Sequence, residues 1–581
     1  MLSEGMTDTP PILALSDFLS DPVDPADFPK HEIRFWNDRW AGEVGLGDLD
    51  AAAQAAHFGR FDPLPGNLPQ PLALRYHGHQ FGVYNPQLGD GRGFLFAQVR
   101  DKAGRLLDLG TKGSGQTPWS RQGDGRLTLK GGVREVLASS YLEALGVNTS
   151  KSFALIETGE QLARHDEPSP TRSAVLTRLS HSHVRFGSFQ RLAYLEQGAE
   201  IARLVDYCVD QFHPQAADPD LARRSCNLLE SIAVATGKMI GQWMAAGFVH
   251  GVMNTDNFNI TGETFDFGPW RFLPVSDPNF TAAYFDEQGL YRFGRQPVQG
   301  GWALQQLASA LLATGADADD LAKALAPYQL AYRDSFVAHT HALLGIAPAG
   351  KAEEDVGFLQ AFYAWMTDSE AVWPQVFHDW FGGSASEGRA AASPQAALYK
   401  ADAFAPVKAQ VLARDPVLPE RLAHDIFQRP APPSLLIDEV EALWALIAEA
   451  DDWSAYEQKL ADIEALRIAR CARVPEAVLT LHDTFEPVIA SQCISARRHK
   501  IDNALEGLPV NMSIGRNGRN FFKQAGHIEA FTAGAAHHML GEHIQPAFYA
   551  VRAIQCAVIH GFLGGAAFQN LKPVGGHKQS A

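Results

Sequence analysis

Lys112, Glu135, Asp256, Asn257 and Asp266 are residues whose types and order could do chemistry together. Lys112 closes the run Leu109-Gly110-Thr111-Lys112, at the end of a predicted strand. An ammonium there can act as a point charge on a phosphate. Glu135 follows 23 residues later, early in a predicted helix, and can hold that ammonium in place. Much later comes His250-Gly251-Val252-Met253-Asn254-Thr255-Asp256-Asn257, then Asp266-Phe267-Gly268. Asn257 and Asp266 each offer a hard oxygen suited to Mg²⁺. The eight residues between them leave room for a short hairpin over 258–265.

Further groups could handle phosphate. Gly89-Asp90-Gly91-Arg92-Gly93 has the close glycine spacing that lets backbone N–H groups approach phosphate oxygens. A tight hairpin turn is the alternative reading. Gln122-Gly123-Asp124-Gly125-Arg126 is a second turn of this kind, which could close over a nucleotide or be purely structural. Arg178 and Arg185, seven apart, are expected to share a face of a helix or a loop–helix unit. Guanidinium forks suit phosphate oxygens, and salt bridging to surface carboxylates is the alternative. His181 and His183 read as structural, because no third metal ligand accompanies them. Taken together, the lysine, the helix glutamate, the loop Asn and the Asp-Phe-Gly stand in the order used by protein kinases. One departure matters. The kinase loop places its base two residues after the histidine, and that position here is Val252. Asp256 could serve from a different place.

These groups need elements to hold them. Phe94–Val99 and Arg105–Leu109 read as strands joined by a turn over 100–104. Val133, Val136, Leu137, Tyr141, Ala144 and Leu145 recur at helical spacing, and Gly146 suits the stop. A second helix is predicted over 228–246, ended by Gly247. Gly382–Pro394 reads as an exposed loop and 429–433 as another break. The fold expected is α+β, a kinase-like pair of lobes. Residues 1–30 would be an extended lead-in, 31–190 a strand-rich nucleotide-binding N-lobe, and 191–470 a helical C-lobe carrying the catalytic and metal-binding loops. Residues 471–581 would be a C-terminal extension of unread role, with helical patches at 528–540 and 546–562.

Bulk properties narrow the partners. The chain has 581 residues, 46% hydrophobic and 20% charged, with a net charge of −17. That balance argues against nucleic acid as a partner, though a nucleotide needs only local cations and a metal. Five dispersed cysteines without CxxC spacing suggest a reducing compartment. No secretory signal is evident in the first 29 residues, and the apolar stretch 547–568 is interrupted by Arg552, Gln555 and His560. No membrane span is expected, and the expected location is cytoplasmic.

The chain resembles the selenoprotein O family, a kinase-fold group of protein adenylyltransferases. The motifs that carry the likeness are Arg75–Gly82, Gly110–Pro118, Gly123–Arg126, Ser182–Gly187 and His250–Asn257. It covers about residues 30–345 and, more loosely, reaches about 470. The resemblance implies ATP bound in a flipped orientation, with the α-phosphate facing the acceptor. It implies AMP transfer to Ser, Thr or Tyr of proteins with release of pyrophosphate, which suits the absent base at Val252. Gly89, Gly91, Arg92, Lys112, Asp124, Gly125, Arg178, Arg185 and Asp266 would bind the nucleotide. Glu135 would pair with Lys112, Asp256 would accept the proton, and Asn257 and Asp266 would ligate Mg²⁺. Some members use UTP with Mn²⁺, and a catalytically dead nucleotide-binding scaffold is a further alternative. The last cysteine is Cys556, and none lies between Asp266 and Pro297. A redox latch of the kind proposed for some members is therefore not expected.

Overall fold

The computed structural model describes residues 9–165 and 167–471. They belong to a first compact unit, Met1–Cys471. The expected helical patches at 528–540 and 546–562 lie outside the described residues.

The fold is mixed, with one large antiparallel sheet and many helices. Twelve strands are present among the described residues. They are β1 Ser20–Pro22, β2 Glu32–Trp36, β3 Leu72–Leu74, β4 Gly78–Gln80, β5 Val83–Asn85, β6 Leu95–Arg100, β7 Leu106–Lys112, β8 Leu127–Thr128, β9 Lys151–Leu162, β10 Thr171–Ser180, β11 Phe248–Val249 and β12 Arg271–Phe272. The main sheet runs β1-β3-β6-β7-β10-β9-β2, with β8 also paired to β10. β6 and β7 form the antiparallel pair expected from their apolar runs. Their continuous hydrophobicity has a cause, since both faces of the sheet are covered. Leu95, Leu106, Leu155 and Leu176 point into one core. Phe96, Leu107, Ile156 and Val175 point into the other. That is the period of two that a strand imposes.

A helix over Leu129–Ala144 covers the first face, burying Val133, Val136, Leu137 and Tyr141. It starts four residues before the expected position. Thr128 caps it by accepting from the Gly131 N–H, which offsets the poor helix propensity of two adjacent glycines. Gly132 is required by contact: a Cβ there would lie 2.4 Å from Leu155 Cδ1. The second expected helix runs over Leu221–Ala246, capped by Asp220 and ended by Gly247 at φ +66°.

Three expectations are corrected. Pro11–Leu15 and Ser16–Leu19 are helical, and β1 pairs with β3, so this part of the lead-in is folded rather than extended. Its Ile12, Leu15, Phe18 and Leu19 are buried, and that apolar area outweighs the local Pro and Asp. The stretch 258–265 is not a hairpin. Asn259 bridges to Arg185 and Thr264 to Thr149, so the segment is tied to two other parts of the chain. Gly383–Ser386 and Glu387–Ala392 are helical turns rather than an exposed loop. Small residues there let the chain pack closely, as at Gly383, where a Cβ would lie 2.8 Å from Ile346.

Candidate active site

β7 and β10 are neighbours, and their register sets Arg178 opposite Gly110 and Leu176 opposite Lys112. Residues two apart on a strand share a face, so Arg178 and Lys112 are diagonal neighbours on the same side of the sheet. Arg185 is the N-cap residue of the Phe186–Tyr194 helix. Arg178 and Arg185 therefore do not share a helix or a loop–helix face as expected. One is on a strand and the other at a helix start, yet they converge on one carboxylate, that of Asp266.

Arg178 donates to Asp266 Oδ1 at 2.8 Å, and Arg185 donates to Oδ2. Lys112 Nζ is 3.7 Å from Oδ1 and is ion-paired with Glu135. Burial alone would raise the Asp266 carboxyl, but Arg185, Arg178 and Lys112 together hold it well below the usual range. Burial pulls the Lys112 ammonium down, and Glu135 opposes the change. Asp266 sits at φ +62°, a left-handed conformation costly for a residue with a Cβ. Such strain persists where the surroundings over-determine it, as three cations do here. Arg185 is further fixed by stacking over Tyr76 at 4.5 Å and Phe265 at 4.7 Å. Lys112, Arg178 and Arg185 face the carboxylates of Glu135, Asp266 and Asp90 in one buried cluster. Guanidinium groups gathered in this way suit phosphate oxygens.

Asp256 and Asn257 lie on the turn Thr255–Asn257. The Asp256 carbonyl accepts from Arg185 at 2.7 Å. Its carboxylate Oδ1 is buried and has no hydrogen-bond partner. Burial pushes the carboxyl up to about 7, against the opposing pull of Arg185. Asn257 spends its amide N–H₂ on the Val252 carbonyl at 2.9 Å, which leaves its side-chain oxygen as the end available to a ligand. His250 is buried, stacked on Trp243, with Nε2 3.1 Å from the Phe265 carbonyl. It supports the loop that leads into Asp266.

The first glycine loop is anchored beside this cluster. Asp90 Oδ2 accepts from the Leu74 N–H at 3.1 Å, and Asp90 Oδ1 lies 3.5 Å from Arg185. Burial raises the Asp90 carboxyl. A Cβ at Gly89 would meet the Trp119 ring at 2.4 Å, and one at Gly91 would meet the Trp119 carbonyl at 2.8 Å. These glycines are thus demanded by close packing against Trp119. The Arg92 carbonyl accepts from the Gly113 N–H, and its positive charge acts on Lys112. Asp124 is engaged elsewhere: Arg164 donates to both its oxygens at 2.7 and 3.1 Å. Gly125, at φ +69°, packs on Gly115.

Two residues around Asp256 carried no assigned chemistry in the sequence. A Cβ on Gly78 would stand 2.8 Å from Asp256 Oδ1, so this glycine makes room for the carboxylate. Tyr76 is the platform under Arg185. Both lie in Arg75–Gly82, a motif legible by its unusual composition but not by its role.

The donor set suits a magnesium-type ion. Among the described residues no group of three or more His, Cys, Asp or Glu is placed to hold a metal. One carboxylate and one amide oxygen, completed by substrate phosphates, is the usual way Mg²⁺ is held.

The family model described as protein adenylyltransferase SelO matches residues 6–464. The protein nucleotidyltransferase YdiU of Synechocystis sp. is 40% identical over 476 residues, covering 79% of this chain and 98% of its own length. YdiU of Gloeobacter violaceus is 42% identical over 481 residues, covering 77% and 92%. YdiU of Synechococcus elongatus is 51% identical over 291 residues, covering 50% and 58%. On this match the chain belongs to the SelO family of protein adenylyltransferases, a family of nucleotidyltransferase enzymes.

Proposed function

We propose that this chain transfers AMP from ATP to Ser, Thr or Tyr hydroxyls of acceptor proteins, in a cytoplasmic setting. The observation that carries the reading is Asp256: a buried carboxylate with an unpartnered oxygen and a pKa raised to about 7, beside a cationic cluster. A general base works best when its pKa is close to ambient pH. Val252 offers no base at the position a kinase would use.

The residues divide the work as follows. Lys112, Arg178 and Arg185 stabilise charge on the phosphates, with Arg92 at the rim. The two guanidinium groups now on Asp266 are the ones a triphosphate would claim. Gly89, Gly91, Asp124 and Gly125 belong to the same nucleotide-binding region, 31–190, of a kinase-like two-lobed fold, with 191–470 as the second lobe. Glu135 keeps Lys112 in place. Asp256 orients the acceptor hydroxyl and takes its proton as the oxygen attacks the α-phosphorus. The new P–O bond forms while the α–β phosphoanhydride bond breaks, and pyrophosphate leaves with the bonding electrons. Asn257 and Asp266 would hold Mg²⁺ or Mn²⁺, which supplies Lewis-acid neutralisation of phosphate charge when bound. General-base help of this kind is worth roughly 10²–10⁴-fold.

The test is intact-mass analysis of an acceptor protein incubated with enzyme, Mg²⁺ or Mn²⁺, and ATP or UTP in separate reactions. The reading expects the mass of one adenylyl group per modified site, lost in Asp266→Ala. A gain of a phosphoryl group would overturn it. A gain with UTP alone would move the nucleotide assignment to uridylyl transfer.

A further inference from the structure

Three of the four exposed aromatic side chains among the described residues gather at one place, and the fourth, Tyr194, stacks on Tyr84. Phe81 is 38% exposed, Tyr284 82% and Phe285 48%. Their rings touch in series, Phe81 to Phe285 at 5.9 Å and Phe285 to Tyr284 at 5.2 Å. Val83, also exposed, stands two residues from Phe81 on the same hairpin. Isolated apolar residues on a surface need no explanation, but a contiguous aromatic ridge does.

The backbone spends strain to make this ridge. β4 and β5 pair through a two-residue turn, Phe81-Gly82, with Gln80 opposite Val83. Both turn residues have positive φ, +51° and +78°. A hairpin turn of this type prefers Asn-Gly, because its first position penalises a large side chain. The turn itself does not ask for Phe at 81, whose ring packs on Tyr291 at 4.9 Å. The strained conformation is held by the Phe81 N–H, which donates to Asn254 Oδ1 at 3.2 Å and to the Tyr291 hydroxyl at 3.1 Å. Tyr291 in turn donates to Asn254 at 2.8 Å. The opposite loop is equally fixed, since Asp286 accepts from the Leu290 and Tyr291 N–H groups at 2.8 Å.

The same hairpin and catalytic turn are one unit. Gly78 packs on the Asp256 carboxylate, and the His79 N–H donates to Thr255 Oγ1 at 2.7 Å. The ridge is therefore continuous with the rim above Asp256. We infer that Phe81, Tyr284 and Phe285 form the docking surface for the acceptor protein, and that they select acceptors with an apolar or aromatic side chain close to the hydroxyl that is modified. This rests on the adenylyl-transfer reading above. The occupant follows from position: a segment delivering its hydroxyl to Asp256 lies alongside this hairpin. Rigid presentation of aromatic anchors lowers the ordering cost of that contact.

The test uses the full chain and two synthetic peptides with a single Thr. They differ only in having Leu and Phe, or Gly and Ala, as its neighbours. Peptide labelling from α-labelled ATP is compared with nucleotide affinity and with pyrophosphate release in the absence of peptide, where water or a hydroxyl of the chain itself takes the AMP group. The wild-type chain is expected to favour the Leu/Phe peptide about tenfold in kcat/KM. Tyr284→Ser with Phe285→Ser should bring the ratio to within about twofold through KM, with peptide-free pyrophosphate release unchanged. Phe81→Asn should also lose the preference, with a thermal midpoint set by the better turn against the lost ring contacts to Tyr291 and Phe285. Equal labelling by the wild-type chain, or a preference kept in these variants, overturns the proposal. So does faster labelling of both peptides in the variants, which would mean that another part of this chain covers the ridge. A dimer-to-monomer shift with unchanged peptide kinetics would assign the ridge to a second copy instead. Intact pyrophosphate release with neither peptide labelled overturns the docking surface alone. Absence of both activities overturns the functional reading beneath it.

Discussion

Burial makes Asp256 measurable. Its carboxyl is raised to about 7 in the folded chain, from an ordinary value near 3.8. A base must be deprotonated, so kcat/KM should rise with pH through about 7 and level above it. Asp256→Asn should remove that limb and lower kcat by roughly 10²–10⁴-fold, with nucleotide affinity kept. The same shift fixes a stability sign. The folded state binds this proton more tightly than the unfolded state, so this group's contribution to stability falls as pH rises from about 4 to about 7. Asp256→Asn should therefore be more stable than the wild type by a few kcal/mol at pH 8 and nearly equal at pH 4, at roughly 1.4 kcal/mol per pKa unit. Denaturant melts at both pH values check this. Asp266 has the opposite sign. Its depressed carboxyl contributes stability above the usual carboxylate range that is lost as pH falls through its folded value. The meeting of Lys112 with Glu135 and Asp266 was legible in the sequence from the types and order of these residues. The convergence of Arg178 and Arg185 was not legible by its true route. It depends on a cross-strand register and a helix start, and neither is a local property of the seven residues between them.

At the scale of elements, the β4–β5 hairpin is the part of the site that spacing could not reveal. It lies more than 170 residues from the Thr255–Asn257 turn in sequence, yet His79 and Phe81 bond to Thr255 and Asn254. Gly78→Ala is the direct probe. Its Cβ would stand 3.0 Å or less from two Asp256 atoms, so the carboxylate must shift. We expect kcat to fall about 100-fold, the scale of loss from a misplacement of about 1 Å. Nucleotide affinity and the circular-dichroism spectrum should be unchanged. An unaffected kcat would show that the hairpin does not position Asp256. β6, β7 and the Leu129–Ala144 helix were legible because their apolar periods are strong. The turns at 383–392 were misread because small residues serve close packing as well as loops.

For the molecule as a whole, the described unit closes on the helix that carries Glu135. Helices Ile437–Ala450 and Ser454–Cys471 bury Val440, Leu443, Ile447, Tyr456, Ile463 and Leu466. Glu441 pairs with Lys130, and Tyr141 donates to the Pro433 carbonyl, so this segment is fastened to the helix that carries Glu135. A chain ending at residue 433 should lose stability and activity, with faster hydrogen exchange over Leu129–Ala144. Unchanged exchange there would contradict a supporting role for these helices. Their part in the site was hidden in the sequence, because the contact joins segments about 300 residues apart. AMP transfer requires the acceptor to attack the α-phosphorus rather than the γ-phosphorus. Parallel reactions with ATP labelled at the α- or the γ-phosphate decide it. Acceptor protein should gain label from the α position only, with one pyrophosphate released per transfer. Label from the γ position would contradict it.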